Sequence, residues 1–198
     1  MNVVIVKYNA GNIQSVLYAL GRLGIEAEVT DDAEKLRSAD KVIFPGVGEA
    51  SSAMQSLKAA GLDNVIRELK QPVFGICVGM QLLCQHSEEN DTDCLGIIKV
   101  QVQKFKNLNQ SIKVPQVGWN NIYNLKSDLF RNIGEDSFIY NVHSYYAMDS
   151  MYTIANCTYG VEYAAAIKKD NFYGVQFHTE KSAEAGSRIL GNFISHCK

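Results

Sequence analysis

Val73-Phe74-Gly75-Ile76-Cys77-Val78-Gly79-Met80-Gln81-Leu82-Leu83 is the most telling segment of this chain. Val73–Ile76 is a short apolar run of the kind that forms a strand buried on both faces, and Met80–Leu83 continues in a helical pattern. Between them stands G-x-C-x-G, the pattern of a nucleophile elbow with cysteine in place of serine. The flanking residues must be small, because the nucleophile sits in a strained strand-to-helix turn. A helix starting near Val78 directs its N-terminus at the sulfur, which favours thiolate. Taken alone, the pattern fits equally a structural cysteine between packing glycines. The strand before it and the helix after it favour the elbow.

Upstream, strands and helices alternate. Val3–Val6 is an apolar strand, and Ile13, Val16, Leu17, Leu20 and Leu23 recur at helical spacing until Gly24. Ala27–Thr30 and Lys41–Phe44 are further strands, the latter closed by Pro45-Gly46. Ser51–Leu69 is one helix or two, broken at Gly61. This alternation predicts a parallel sheet covered on both faces. Downstream the pattern changes to short strands and turns: Ile97–Gln103, Trp119–Tyr123, Phe138–Val142, Thr153–Cys157, Ala164–Lys168 and Phe172–Phe177. Lys169-Asp170-Asn171 reads as a turn, and Ala183–Phe193 as a closing helix. The expected fold is α/β: one domain spanning residues 1–198, with a mixed, mostly parallel central sheet and helices on both sides, a flavodoxin-like three-layer sandwich.

Composition agrees. The chain has 198 residues, 46% of them hydrophobic and 20% charged, a balance that builds a core. Nineteen Lys+Arg against 21 Asp+Glu give a net charge of −2, which argues against a nucleic-acid binder. The apolar runs are strand-length, so no membrane span is expected, and Met1-Asn2 leads straight into a strand without a signal-peptide pattern. Five cysteines, at 77, 84, 94, 157 and 197, are an odd number without C-x-x-C spacing. Free thiols in a reducing cytoplasm are expected, with no zinc site and no metal.

In an open α/β sheet, ligands bind beyond the carboxyl ends of the strands. Besides the elbow, Phe44-Pro45-Gly46-Val47-Gly48 and Gln176-Phe177-His178-Thr179-Glu180 lie there. A cysteine nucleophile needs a base and a group that orients the base. His178 and Glu180 are two apart at the end of an apolar strand, where alternate residues share a face, so Glu180 is expected beside His178. In isolation they would be a surface pair; the elbow makes them a triad with Cys77. His143 reads as a satisfied core or rim histidine, His86 and His196 have no partner pattern, and Cys84 reads as packing. Gly46-Val47-Gly48 lacks the Lys-Ser/Thr of a phosphate loop, and Asn9-Ala10-Gly11-Asn12 lacks G-x-G-x-x-G. The glycines at 46 and 48 could let backbone N–H groups approach a reacting carbonyl.

The three segments in this order resemble the class I, triad-type glutamine amidotransferases. Over essentially its full length the chain resembles the glutaminase subunits of imidazole glycerol phosphate synthases. Carrying that resemblance are Tyr8-Asn9-Ala10-Gly11-Asn12-Ile13, Ser15-Val16, Pro45-Gly46-Val47-Gly48, the elbow segment and Ser87-Glu88-Glu89. Pro115-Gln116-Val117-Gly118-Trp119-Asn120, Val142-His143-Ser144-Tyr145 and Gly174–Ser182 complete it.

The resemblance implies that Cys77 attacks the side-chain amide of L-glutamine, with His178 as acid and base and Glu180 orienting it. It places backbone N–H groups of Val47 and Val78 in the oxyanion hole. Gly48, Gln81, Glu89, Ser144 and Tyr145 would hold the substrate, with Glu89 suited to an ammonium. It implies no cofactor. The partner would be a separate (β/α)8-barrel cyclase, which receives the ammonia in a heterodimer, with Asn12, Trp119 and Lys181 at the interface. Trp119 is the sole tryptophan, and exposed aromatics anchor interfaces; a core position is the alternative. Departures from the family pattern are Thr179 for proline, Gln116 for histidine, Val78 for leucine and Asn141 for an aromatic. None removes a catalytic atom. The competing readings are a paralogous amidotransferase subunit feeding a different synthase, as in surface-polysaccharide sugar biosynthesis, a catalytically dead binding subunit, and a cysteine hydrolase or peptidase on a related fold.

Overall fold

The structure is a computed structural model that describes residues 1–9, 11–106 and 112–197; Ala10 of the Tyr8–Ile13 segment lies outside the described residues. The elements run β1 (Val3–Val6), α1 (Ile13–Arg22), β2 (Ala27–Thr30), α2 (Ala33–Ser38), β3 (Lys41–Gly46), α3 (Ala50–Ala59), α4 (Leu62–Glu68), β4 (Val73–Cys77) and α5 (Val78–Leu83). Then follow β5 (His86–Ser87), β6 (Thr92–Asp93), β7 (Gln101–Lys104), β8 (Gln116–Ile122), β9 (Ser137–His143), β10 (Tyr145–Ala147), β11 (Thr153–Tyr159), β12 (Val161–Lys169), β13 (Phe172–Val175) and α6 (Ala183–His196).

The large sheet has the order β2-β1-β3-β4-β13-β12-β10-β7-β5-β6, with β11 paired to β12. Strands β2, β1, β3, β4 and β13 are mutually parallel. At β12 the direction reverses: the pairs β13–β12, β12–β10, β10–β7 and β5–β6 are antiparallel, while β7–β5 is parallel. Strands β8 and β9 form a separate antiparallel pair. The parallel strands β1, β3 and β4 are buried at every residue, which is why they read as continuous apolar runs.

Alternate residues of β4 meet the two helical layers. Phe74 stacks on Phe193 of α6, ring centroids 4.8 Å apart. On the other face Gly75 lies under α5: a Cβ there would sit 2.8 Å from the Met80 nitrogen. Gly174 is its cross-strand neighbour on β13, and Met80 fills the space above it. Two adjacent glycines thus form the floor on which α5 rests.

Most expected elements stand within a few residues of their predicted bounds. The helix α2 is absent from the sequence pattern because only Leu36 of it is buried, so it has no apolar stripe. Strand β3 extends through Pro45-Gly46. Its pairing with β1 ends at Ile43, so at Pro45 only β4 remains as a neighbour, and a residue without an N–H fits there. Ile97–Gln103 is a strand only from Gln101. Ile98 and Val100 are buried, but the Ile98 N–H bonds to the Leu83 carbonyl at the end of α5. The apolar pattern there reflects packing beneath a turn. Helix α6 runs three residues past Phe193, to His196.

Candidate active site

Cys77 ends β4 and caps α5 with φ 55 and ψ −112, a backbone conformation that a non-glycine residue rarely adopts. The surrounding glycines make it attainable. A Cβ on Gly79 would lie 1.8 Å from the Phe44 carbonyl oxygen, and one on Gly46 would lie 2.8 Å from the Gly79 nitrogen. The elbow is therefore clamped against β3 by direct backbone contact, which only glycine permits.

The thiol faces a cleft of about 340 Å³ lined by Val47, Gly48, Cys77, Val78, Gln81 and Glu89, and on the far side by Pro115, Val142–Tyr145, His178 and Lys181. Every sequence-predicted oxyanion and substrate residue is at this cleft, as are Cys77 and His178. Glu180 stands behind His178, its side chain fully buried, and its Oε1 accepts from His178 Nδ1 at 2.7 Å. Asn12 and Trp119 do not line the cleft. Asn12 reaches Glu180 from outside, and Trp119 stands 53% exposed on β8.

The His178–Glu180 pairing arises differently from the strand alternation expected of it. Strand β13 stops at Val175, and Glu180 lies in a 3-10 turn, Thr179–Lys181. The turn folds Glu180 back onto the imidazole. His178 is fixed by its backbone N–H, which donates to the Tyr140 carbonyl at 2.9 Å, and Ser182 Oγ donates to the His178 carbonyl at 2.6 Å. Thr179, which stands where the family pattern has proline, has a buried Oγ1 with no partner among the described residues.

Burial alone would lower the His178 pKa. Hydrogen bonding and charge from Cys77 and Glu180 outweigh it and raise the pKa to about 10. The Cys77 sulfur and the Glu180 carboxylate together favour the protonated form of the imidazole between them. His143 behaves oppositely: burial lowers it to about 4. It stays neutral, with Nδ1 2.8 Å from the Tyr145 carbonyl, and fits the expectation of a satisfied histidine. Burial raises the Glu89 pKa, opposed by the Ala50 N–H that its Oε2 accepts at 2.7 Å. The remaining cysteines are buried, and burial pushes Cys94 up to about 12 and Cys157 and Cys197 up to about 11. They stay thiols.

Gln176 is a contributor that sequence reasoning did not assign. It is fully buried; its Oε1 accepts from Gln81 Nε2 at 3.0 Å, and its Nε2 lies 3.9 Å from Cys77 Sγ. Gln81 Nε2 also donates to the Tyr145 carbonyl at 3.0 Å. That carbonyl, shared with His143, holds the cleft wall in place. The only sequence signal was the position of Gln176 two residues before His178. Among the described residues no cluster of His, Cys, Asp and Glu could hold a metal ion, and no helix is long and apolar enough to cross a membrane.

A cysteine in a glycine-clamped elbow, backed by a His–Glu pair on an α/β sheet, defines a triad-type amidotransferase. Residues 4–197 match the family described as Glutamine amidotransferase class-I, and the chain belongs to it. Within that class it is a member of the HisH family. It is 57% identical over 194 residues to the imidazole glycerol phosphate synthase subunit HisH of Bacteroides fragilis, covering 98% of this chain and 99% of that one. It is 44% identical over 198 residues to the subunit HisH of Pasteurella multocida, covering 100% and 99%. The fold is shared more widely. The crystal structure of a glutamine amidotransferase from Thermotoga maritima superposes with a TM-score of 0.64 at 17% identity, covering 98% of this chain and 82% of that one.

Proposed function

We propose that this chain hydrolyses L-glutamine to glutamate and ammonia, using Cys77 as nucleophile, His178 as acid and base and Glu180 as its orienting carboxylate. The ammonia goes to a separate (β/α)8-barrel cyclase subunit, in the step of histidine biosynthesis that yields imidazole glycerol phosphate and an aminoimidazole carboxamide ribonucleotide. The observation that carries the reading is the line from the elbow sulfur through His178 to buried Glu180, at the wall of a single cleft.

The chemistry follows from that line. The Cys77 sulfur adds to the amide carbon, and the carbonyl oxygen becomes an oxyanion facing the backbone N–H groups of Val47 and Val78. His178 gives its proton to the departing nitrogen, the C–N bond breaks, and ammonia leaves a glutamyl thioester. Water attacks the thioester, losing a proton to His178, and a second tetrahedral intermediate releases glutamate and the sulfur. Glu180 stabilises the imidazolium through its hydrogen bond at 2.7 Å. Glu89 is the natural partner for the substrate ammonium, with Gln81, Gly48, Ser144 and Tyr145 around the head group.

The hairpin β8–β9 supports delivery to a partner. In its register Val117 opposes Val142, Trp119 opposes Tyr140 and Asn121 opposes Phe138, all on one face. Val117, Trp119, Phe138 and Val142 are exposed there, an apolar surface that a second protein would cover. Val142 belongs to both places: it is on that face, and its carbonyl lies 3.9 Å from Cys77 Sγ. Exposed Lys181 also borders the cleft. Ammonia released at the sulfur therefore starts beside the docking surface. In a complex with a histidine-pathway cyclase, Cys77→Ala should abolish glutamine-dependent synthesis and leave synthesis from added ammonia intact. Glutamine-dependent synthesis that survives the change would refute the nucleophile.

A further inference from the structure

Asn12 stands at the N-cap of α1, where an asparagine side chain ordinarily accepts from the first free N–H groups of the helix. Here it makes no capping bond. Its backbone is left-handed, with φ 74, a region that asparagine tolerates better than most residues. The side chain turns away from the helix it begins, and its Nδ2 donates to Glu180 Oε1. That is the same oxygen that meets His178 Nδ1. The other oxygen, Oε2, is buried and has no partner among the described residues.

A carboxylate whose side chain is wholly removed from water needs hydrogen-bond donors in place of water. Among the described residues both donors to Glu180 converge on one oxygen, and one of them, His178, gives and takes a proton during the reaction. Asn12 is the donor that does not titrate. We propose that Asn12 is a positioning residue of the triad: its amide fixes the Glu180 carboxylate with Oε1 toward His178, so that an oriented partner is present throughout turnover. The inference rests on the triad assignment. It goes beyond the interface role that resemblance implies, because Asn12 acts within this chain before any partner docks. The neighbouring Gly11 packs against Val47, so the loop entering α1 touches both the carboxylate end of the triad and the oxyanion turn.

The ionisable groups around the pair come from several elements. Cys77 faces His178 from the elbow, and Tyr8, whose hydroxyl donates to the Pro45 carbonyl, feels the Cys77 charge. His143 on β9 is neutral and buried, and Lys181 in the same turn as Glu180 is exposed.

Two substitutions separate positioning from structure. Asn12→Gly deletes the amide and keeps a residue suited to the left-handed backbone. Asn12→Asp keeps shape and backbone tolerance but turns a donor into an acceptor facing Glu180. The readouts are the rate of Cys77 alkylation by iodoacetamide in the isolated chain, resolved by peptide mass across pH, and kcat and KM for glutamine in complex with the cyclase. Asn12→Gly should lower kcat by roughly tenfold or more with little change in KM. It should also move the midpoint of Cys77 alkylation to higher pH, because a loosened Glu180 holds the imidazolium less well. Asn12→Asp, though the closer isostere, should be the slower of the two at neutral pH and recover as one carboxylate protonates. An Asn12→Asp chain as fast as or faster than Asn12→Gly, or a wild-type alkylation profile in both, would overturn the proposal. A loss of cyclase affinity with unchanged Cys77 alkylation would also overturn it, leaving Asn12 as an interface residue only. Alkylation shifts in the variants, with a wild-type chain that releases no glutamate in the presence of the cyclase, would refute the proposed reaction and keep the inference.

Discussion

Around Cys77 the chain is packed to the point where backbone touches backbone. On the β8–β9 hairpin, residues of the same apolar kind stand in the open, with Val117 59%, Trp119 53% and Phe138 63% exposed. The two regions both line one cleft, where the carbonyl of Val142 of the hairpin lies 3.9 Å from the elbow sulfur. They divide the work. The elbow holds a strained backbone that the nucleophile requires, so it has no freedom to vary. The hairpin holds nothing in the core with its outer face, so its apolar residues are there for something outside the chain.

If that division is right, a single methyl group should break the elbow. Gly79→Ala puts a Cβ into the Phe44 carbonyl, backbone against backbone, with no flexible side chain to yield. Loss of folded protein, or a destabilisation of about 3 kcal/mol or more in urea titration, is expected. A folded, active Gly79→Ala chain would mean that the clamp on β3 is dispensable.

The hairpin should answer in the reverse sense. Trp119→Ala removes an exposed indole whose nearest aromatic contact is Tyr140, centroids 5.7 Å apart. Its unfolding free energy in isolation should change by no more than about 0.5 kcal/mol. Affinity for the cyclase should fall by an interface hot spot's share, about 2 kcal/mol or more, measured by calorimetric titration. Equal affinity for wild type and variant would remove Trp119 from the interface.

A smaller effect distinguishes the two histidines. His143 of the hairpin has a folded pKa near 4 against the ordinary 6.5, so the unfolded chain binds the extra proton between those values. Its contribution is complete above about pH 6.5 and is lost as pH falls through about 4. His178 has its pKa raised to about 10, so its contribution is complete below about pH 6.5 and is lost as pH rises through about 10. Urea midpoints should show a flattened acid limb in His143→Gln and a flattened alkaline limb in His178→Gln. The same limb flattened in both would contradict the opposite charge states of the two imidazoles.

Local patterns were legible; of the distant contacts the pairing of Cys77 with His178 was legible too, because a cysteine elbow calls for a base. The elbow could be read because Gly75, Cys77 and Gly79 are adjacent in sequence and their physical requirement is local. The parallel strands could be read because burial on both faces leaves continuous apolar runs. The outer face of the hairpin has the same alternation as a buried one, so nothing in Val117, Trp119 or Phe138 alone told which side they would occupy. The donor to Glu180 was hidden because Asn12 lies 168 residues away in sequence. Gln176 was hidden likewise, since its bonded partner Gln81 lies 95 residues off. A short polar helix such as α2 leaves almost no periodic trace.

The most direct test is glutamate release from glutamine by the purified chain, measured alone and with a histidine-pathway cyclase carrying its nucleotide ligand. A sharp rise with the cyclase, absent in Cys77→Ala, is the predicted result. A rate indifferent to the cyclase, or one that survives loss of the Cys77 sulfur, would contradict it.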